Sequence, residues 1–368
     1  MIGPLRDDAL LRAIALAGRH GGAYLLSAAQ LRARVAAVLE MARTYLFPIK
    51  TNPDPGVLAI AVEQGAGLDL CSRGDLDLAR SYFRAGLRLS FTSPNLDREL
   101  AADLVAAGVS IDLDSWQQVD LLPDGTTGAG LRICTADADS AYGSKFGVPA
   151  CDVAAVAEAV RTRGTRLNAL HLHTAHRTAD EMPERILSLL EPIEPPLLAA
   201  FDRINLGGGW PLAHGIPVPS HTISRAILRI RETLAARGFS GDLEVEPGEW
   251  VVGPCAWLAA RVSAVKAHPI HSDRRIVILD TATPVPCRAR DGPVHLVRGG
   301  AWMEEGGPAA LCDVYGSANT GLDTLCVGVT MPLPRAGDLA VIPGQGAYAR
   351  QLTGSFNERP LPPLMLFD

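Results

Sequence analysis

Several residues able to do chemistry stand where short apolar runs end. Lys50 closes TYLFPIK, Asp69 and Ser72 close GLDLCS, and Arg132 lies in GLRIC. His173 and His176 lie in LHLHTAH, three consecutive glycines (Gly207, Gly208 and Gly209) follow INL, and Glu246 closes DLEVE. Taken singly, each has an ordinary reading as a solvated lysine, a core histidine, a tight turn or a surface carboxylate. Together they fit an imine-forming cofactor. A desolvated lysine can lose its proton and form a Schiff base, and consecutive glycines let backbone N–H groups approach a phosphate. A carboxylate can keep a pyridine nitrogen protonated, so that the ring accepts electron density from a carbanion. An imidazole can cover the face of a flat ring. Pyridoxal 5'-phosphate (PLP) asks for all four, and it is the expected cofactor.

The elements that must position these residues alternate regularly. Strand-like runs fall at 44–49, 67–71, 88–92, 109–113, 130–134, 168–173, 202–206 and 242–246, with helical patterns at 54–64, 74–85, 96–107, 115–121, 151–163, 180–192 and 221–237. Such alternation implies parallel strands with crossover helices, and eight units can close into a (β/α)8 barrel of TIM type, an α/β fold. Working groups of such barrels sit where each strand hands over to the following loop, which is where the residues above fall. After about residue 255 long amphipathic patterns stop, and runs such as RRIVILD, DTLCVGV and GDLAVIP are set off by Pro and Gly. This predicts a C-terminal all-β domain over 256–368 behind a barrel over 22–255. The first 21 residues carry a helix-like DDALLRAIALAG that fits against either domain.

Composition narrows the function classes. The 368 residues are 48% hydrophobic and 20% charged, enough to bury a full core. Against 40 acidic side chains stand 34 basic ones, a formal charge of −6 that attracts neither nucleic acid nor an anionic membrane. No apolar run reaches the roughly 20 residues of a bilayer span and the N-terminus lacks signal-peptide order, so a cytoplasmic protein is expected. The seven cysteines form no CxxC pair and read as reduced, space-filling thiols, with no metal site expected.

In order along the chain stand PIKTNPDPGVL, GAGLDLCSRGDL, LRICTADADSAYGSKFG, LHLHTAH, INLGGGWP, EVEPGEW, YGSANTGLD and GQGAYARQLTGSFNERPLP. With these motifs the chain resembles the fold-type III PLP-dependent decarboxylases, which act on ornithine, arginine, lysine or diaminopimelate and share an alanine-racemase-like barrel. The resemblance implies a homodimer whose shared active sites are completed by the partner's C-terminal domain. It places Lys50 on the cofactor, His173 on its ring, Glu246 at its pyridine nitrogen, and Gly207, Gly208, Gly209 and Tyr348 at its phosphate. Asp69 and Arg132 would line the pocket near the lysine. Phe356 and Asn357 would belong to the C-terminal wall, with Thr320 and Asp323 beside the substrate.

The departures from the family concern the substrate. Where the family has a cysteine that protonates the substrate carbon after CO2 leaves, this chain has Asn319, whose amide is no useful acid. The proton would then come from water, Lys50, His173 or His176. The acid that follows is Thr320 here. The family's EPGR is EPGE, which puts Glu249 in place of an arginine, and an RPALYG-like stretch reads CRARDG, with Cys287 and Asp291. Two carboxylates would repel a distal carboxylate and pair with a distal ammonium or guanidinium. The expected activity is decarboxylation of a basic or modified amino acid, free or carrier-tethered, in specialised metabolism. The alternatives are a PLP enzyme with another outcome, racemisation or oxidative decarboxylation-deamination, and a non-catalytic PLP-binding homologue.

Overall fold

The computed structural model describes residues 8–18, 22–135, 145–176, 178–213, 216–282, 293–303 and 306–368. Packing divides the chain into two compact units, one of residues 34–211 and 218–248, the other of residues 1–33, 212–217 and 249–368.

The first unit is a closed barrel. Its eight parallel strands are β1 (Thr44–Pro48), β2 (Gly67–Leu70), β3 (Leu89–Thr92), β4 (Ser110–Leu113), β5 (Gly128–Arg132), β6 (Arg166–His171), β7 (Arg203–Asn205) and β8 (Asp242–Val245). They pair in sequence order, and β8 closes onto β1 through Glu244 opposite Thr44 and Val245 opposite Tyr45. All eight lie within two residues of the sequence-based positions. Helices start where side chains cap them: Asp54 accepts from Gly56 N–H ahead of Pro55–Glu63, Ser72 from Asp75 N–H ahead of Arg73–Arg80, and Asp97 from Leu100 N–H ahead of Arg98–Ala106. Ser72 is therefore the N-cap of a helix. The segment expected as a helix at 115–121 is a 3-10 turn, Trp116–Leu121. There Gln118 bonds Asp114 N–H and the Ser93 carbonyl.

Barrels of this kind usually fill their interior with branched apolar side chains; this one holds polar groups. In its lower layer the Arg88 guanidinium reaches Glu244 at 2.8 and 3.1 Å and Ser110 Oγ at 2.6 Å. Strand register sets the upper layer, with Thr92 beside Asp112, Asp112 beside Gly130, Arg132 beside His171, and His171 beside Asn205. Contacts between non-adjacent strands, Thr92 of β3 with His171 of β6 and Arg88 with Glu244, place these side chains in the lumen.

The second unit is built on a nine-stranded sheet. Its longest strand, Ala256–Ala267, pairs antiparallel with Arg274–Leu279 and Leu339–Pro343. Ala309–Tyr315 runs parallel to Arg274–Leu279 and antiparallel to Thr324–Pro332. The strand Ala23–Ser27 belongs here as well, antiparallel to Ala256–Ala267 and parallel to Leu364–Phe367. By packing, the barrel unit runs over 34–248 apart from 212–217, and Ala23–Ser27 pairs with strands more than 200 residues away in the second unit. The helix Asp8–Ala17 packs Leu10, Ala13, Ile14 and Ala17 against Leu25, Trp257 and Val341 of this sheet, at the spacing of one helical face.

Candidate active site

Lys50 lies in the 3-10 turn Ile49–Thr51 that follows β1. Its Nζ donates to Asp69 Oδ2 at 2.8 Å, with the lysine side chain 39% exposed and the aspartate 1%. Burial opposes charge on the lysine, but Asp69 and Glu246 outweigh it, and the pKa is raised above the ordinary lysine value. The neighbouring carboxylates thus favour the charged form of the amine. Burial, reinforced by Glu246, pushes Asp69 up to about 6, and Lys50 pulls against that shift. Ser90 Oγ donates to the other Asp69 oxygen at 3.2 Å.

Glu246 follows β8 and is buried. Burial favours its neutral form, yet His171 and Lys50 hold it ionised, with its pKa lowered to about 2. Asn205 Nδ2 donates to Glu246 Oε1 at 2.5 Å, while Asn205 Oδ1 accepts from Gly207 N–H at 2.8 Å. One amide thereby ties the carboxylate to the glycine run. Gly207 has φ 70° and Gly209 φ 69°, and a Cβ on Gly208 would stand 2.5 Å from the Glu246 carbonyl oxygen. Only glycine lets this strip pass so close.

His173, two residues beyond the last lumen histidine of β6, accepts from Gly208 N–H at 3.4 Å. Burial, with Lys50 and Arg132, lowers its pKa to about 3, so the ring is neutral. His176 Nε2 lies 2.7 Å from Thr174 Oγ1, and burial with Arg185 lowers its pKa to about 4. The Arg132 guanidinium is 3.6 Å from Asp114 Oδ1 and lies 4.2 Å over the Phe146 ring.

The remaining expected residues lie in the second unit. Glu249 opens the helix Glu249–Val252. Tyr348 sits at φ 60° ahead of Ala349–Leu352. Asn319 is exposed, and its N–H donates to Asn357 Oδ1 at 2.9 Å, so YGSANTGLD and GSFNERP meet. Thr320 Oγ1 accepts from Leu322 N–H at 3.2 Å, and Phe356 is exposed. Asp323 is buried and accepts from Ala318 N–H at 2.7 Å, which uses its carboxylate to shape the loop. Cys287 and Asp291 lie outside the described residues.

Sequence reasoning missed His171, Asp112, Thr92 and Asn205. The signal was the strand period of two: His171 stands two before His173, and Asn205 two before Gly207.

Residues 28–253 match the family described as pyridoxal-dependent decarboxylase, pyridoxal binding domain. The chain belongs to this family. Among relatives of this decarboxylase, a diaminopimelate decarboxylase of Deinococcus radiodurans is 27% identical over 94% of this chain and 89% of its own. Protein TabA of Pseudomonas amygdali pv. tabaci is 25% identical over 88% and 79%. A crystal structure of diaminopimelate decarboxylase superposes with a TM-score of 0.82 at 20% identity, covering 98% of this chain and 91% of that one, which shows the shared fold. Membership makes PLP the cofactor. The donor set fits it: a primary amine at a strand end, an ionised buried carboxylate, a neutral imidazole and a run of bare backbone, all on the same barrel. No helix among the described residues is long and apolar enough to cross a membrane.

Proposed function

We propose that this decarboxylase removes CO2 from a basic or modified amino acid, ornithine-, lysine- or arginine-like, and works as a homodimer. The observation that carries the reading is the Lys50–Asp69 pair beside ionised Glu246 on the barrel rim of a chain from this family. When bound, PLP supplies an electron sink for the pair left behind by departing CO2. Lys50 would hold it through Nζ, Glu246 would face its pyridine nitrogen, His173 would cover its ring, and the glycines with Tyr348 would bind its phosphate. Arg132, braced by Asp114, would border the same pocket.

Lys50 must shed a proton before Nζ can act as a nucleophile. Asp69, 2.8 Å away, is the carboxylate within reach of that proton. The same pair supports the choice of proton donor in place of the family's cysteine. With no acidic proton on the Asn319 amide, the candidates are water, Lys50, His173 and His176, and Lys50 is the one whose nitrogen is hydrogen-bonded to a carboxylate that can share its proton. Glu249, at the family's arginine position, favours a distal cation on the substrate and disfavours the second carboxylate of diaminopimelate. Departures from the family at Glu249, Asn319 and Thr320, in a chain that keeps the residues expected to hold the cofactor, support a role in specialised metabolism, on a free or carrier-tethered substrate.

Mass spectrometry of products from the PLP-loaded protein with ornithine, lysine, arginine, diaminopimelate and their D-forms tests this. Loss of CO2 from a basic member is the expected result. Asn319 favours one second reading, in which the carbanion has another fate; unchanged mass with inverted chirality, or an aldehyde product, would select it. Lys50→Ala should abolish turnover and the cofactor's imine absorbance, and persistence of both would overturn the assignment of Lys50.

A further inference from the structure

His171 was not among the residues expected to hold the cofactor, yet side chains from three other strands or strand ends converge on its ring. The ring is 3% exposed. Its Nδ1 lies 3.1 Å from Asp112 Oδ2 and 2.9 Å from Thr92 Oγ1, and its Nε2 lies 3.4 Å from Glu246 Oε2. The last separation is an ion-pair contact, long for a well-formed hydrogen bond. Thr92 Oγ1 also donates to Asp112 Oδ2 at 3.3 Å. Gly130 makes room for Asp112, since a Cβ there would collide with Asp112 Oδ1. Asp112, His171 and Glu246 therefore form a chain through the lumen, from β4 through β6 to the end of β8.

We propose that His171 is a positioning residue: as an imidazolium clamped by Asp112, it keeps Glu246 ionised and oriented, so that the carboxylate meets the pyridine nitrogen of PLP as an acceptor. The proposal rests on the assignment of Glu246 to that nitrogen. A carboxylate this deeply buried takes up a proton unless a cation stands beside it. Lys50 is a poor permanent partner, because its Nζ is engaged by Asp69 and gives up its charge whenever the amine acts as a nucleophile. Asn205 orients one oxygen of Glu246 but carries no charge. His171 supplies a charge that the chemistry leaves untouched. The carboxylates acting on the imidazole are Asp112 and Glu246 in contact, with Asp69 and Asp114 farther off. The neighbouring His173 is neutral, and Arg88 acts on Asp112 and Glu246 from the lower layer. Burial opposes the charge on His171, but the two contacting carboxylates prevail and raise its pKa to about 10.

The test uses histidine-labelled full-length protein, with His171→Gln to assign the ring signal by NMR. The signal should be that of an imidazolium through neutrality, titrating well above the ordinary histidine value; titration near 6.5 would overturn the proposal. PLP affinity from fluorescence, and the pH dependence of the bound cofactor's absorbance, are then compared in the wild type, His171→Gln, Asp112→Asn and Glu246→Gln. His171→Gln should move the acid-side midpoint of the spectrum upward by about one pH unit or more, and Asp112→Asn should move it less in the same direction. A wild-type midpoint in both variants, with an altered one in Glu246→Gln, would sink the role of His171 alone. An unaltered Glu246→Gln protein would instead remove the assignment of Glu246, and the proposal with it. If His171→Gln does not fold, Asp112→Asn and the labelled wild type still decide.

Discussion

His173 and His176 lie in one six-residue stretch with a third histidine, His171, yet their charges differ because their neighbours differ. His171 faces two carboxylates and is held protonated, whereas His173 faces Lys50 and Arg132 and is held neutral. The stability of the fold should follow. Pinned at about 3 and about 4 against an ordinary 6.5, His173 and His176 confer stability that is full above 6.5 and lost as pH falls toward those values. Glu246, lowered from 4.5 to about 2, adds a loss that deepens as pH falls between them. His171 acts oppositely, its contribution being complete below 6.5 and lost as pH rises through about 10. Asp69, raised from 3.8 to about 6, tempers the acid limb, since its folded form binds a proton more readily than the unfolded chain. Thermal denaturation against pH should show a Tm plateau near neutrality with a fall on both sides. His176→Asn should flatten the acid limb between 6.5 and about 4; an acid limb unchanged in that variant would contradict the assignment.

Elements act here through close approach. Gly207 holds φ 70°, and a Cβ on it would collide with the Leu172 carbonyl. Gly207→Ala should destabilise the protein by about 2 kcal/mol or more, since the left-handed conformation alone costs about 1–2 kcal/mol for a residue with a Cβ. PLP affinity should fall with it, because Gly207 N–H and Glu246 share Asn205. Ser72→Ala is the contrasting case. Its hydroxyl caps a helix at 3.1 Å from Asp75 N, so the change should cost about 1 kcal/mol in urea unfolding and leave PLP affinity unchanged. Equal losses of affinity in both variants would mean that the glycine run is ordinary scaffolding.

For the molecule as a whole, the expected homodimer makes a demand on the second unit. Its surface carries Leu322 at 67%, Leu352 at 56% and Phe356 at 47% exposure, large apolar side chains that a monomer would leave in water. Analytical ultracentrifugation should show a dimer. Leu322→Asp or Leu352→Asp should shift it toward monomer and reduce turnover, with circular dichroism unchanged. A fully active monomer would remove the shared-site expectation. The net charge of −6 gives no long-range attraction between copies, so in the proposed dimer apolar contact would have to drive association.

The barrel was legible in the sequence because its parallel strands are short apolar runs, and three of the helices between them start at capping side chains, Asp54, Ser72 and Asp97. Lys50, Asp69, His173, the three glycines and Glu246 were legible for the same reason, since each ends a run. Long-range pairing was not. The apolar strand Ala23–Ser27 looks like any buried segment until Ala256–Ala267 and Leu364–Phe367 flank it. Charge state was not legible either, because a lysine, a histidine or an aspartate takes its pKa from groups that only barrel closure brings within a few ångströms. Sequence by itself determined which residues reach the rim and what cofactor they suit. Tertiary structure decided that Asp69 stands beside Lys50, that burial with Lys50 and Arg132 favours a neutral His173, and that His171 stands between Asp112 and Glu246, because electrostatic energy depends on separation and burial, quantities a linear chain does not contain.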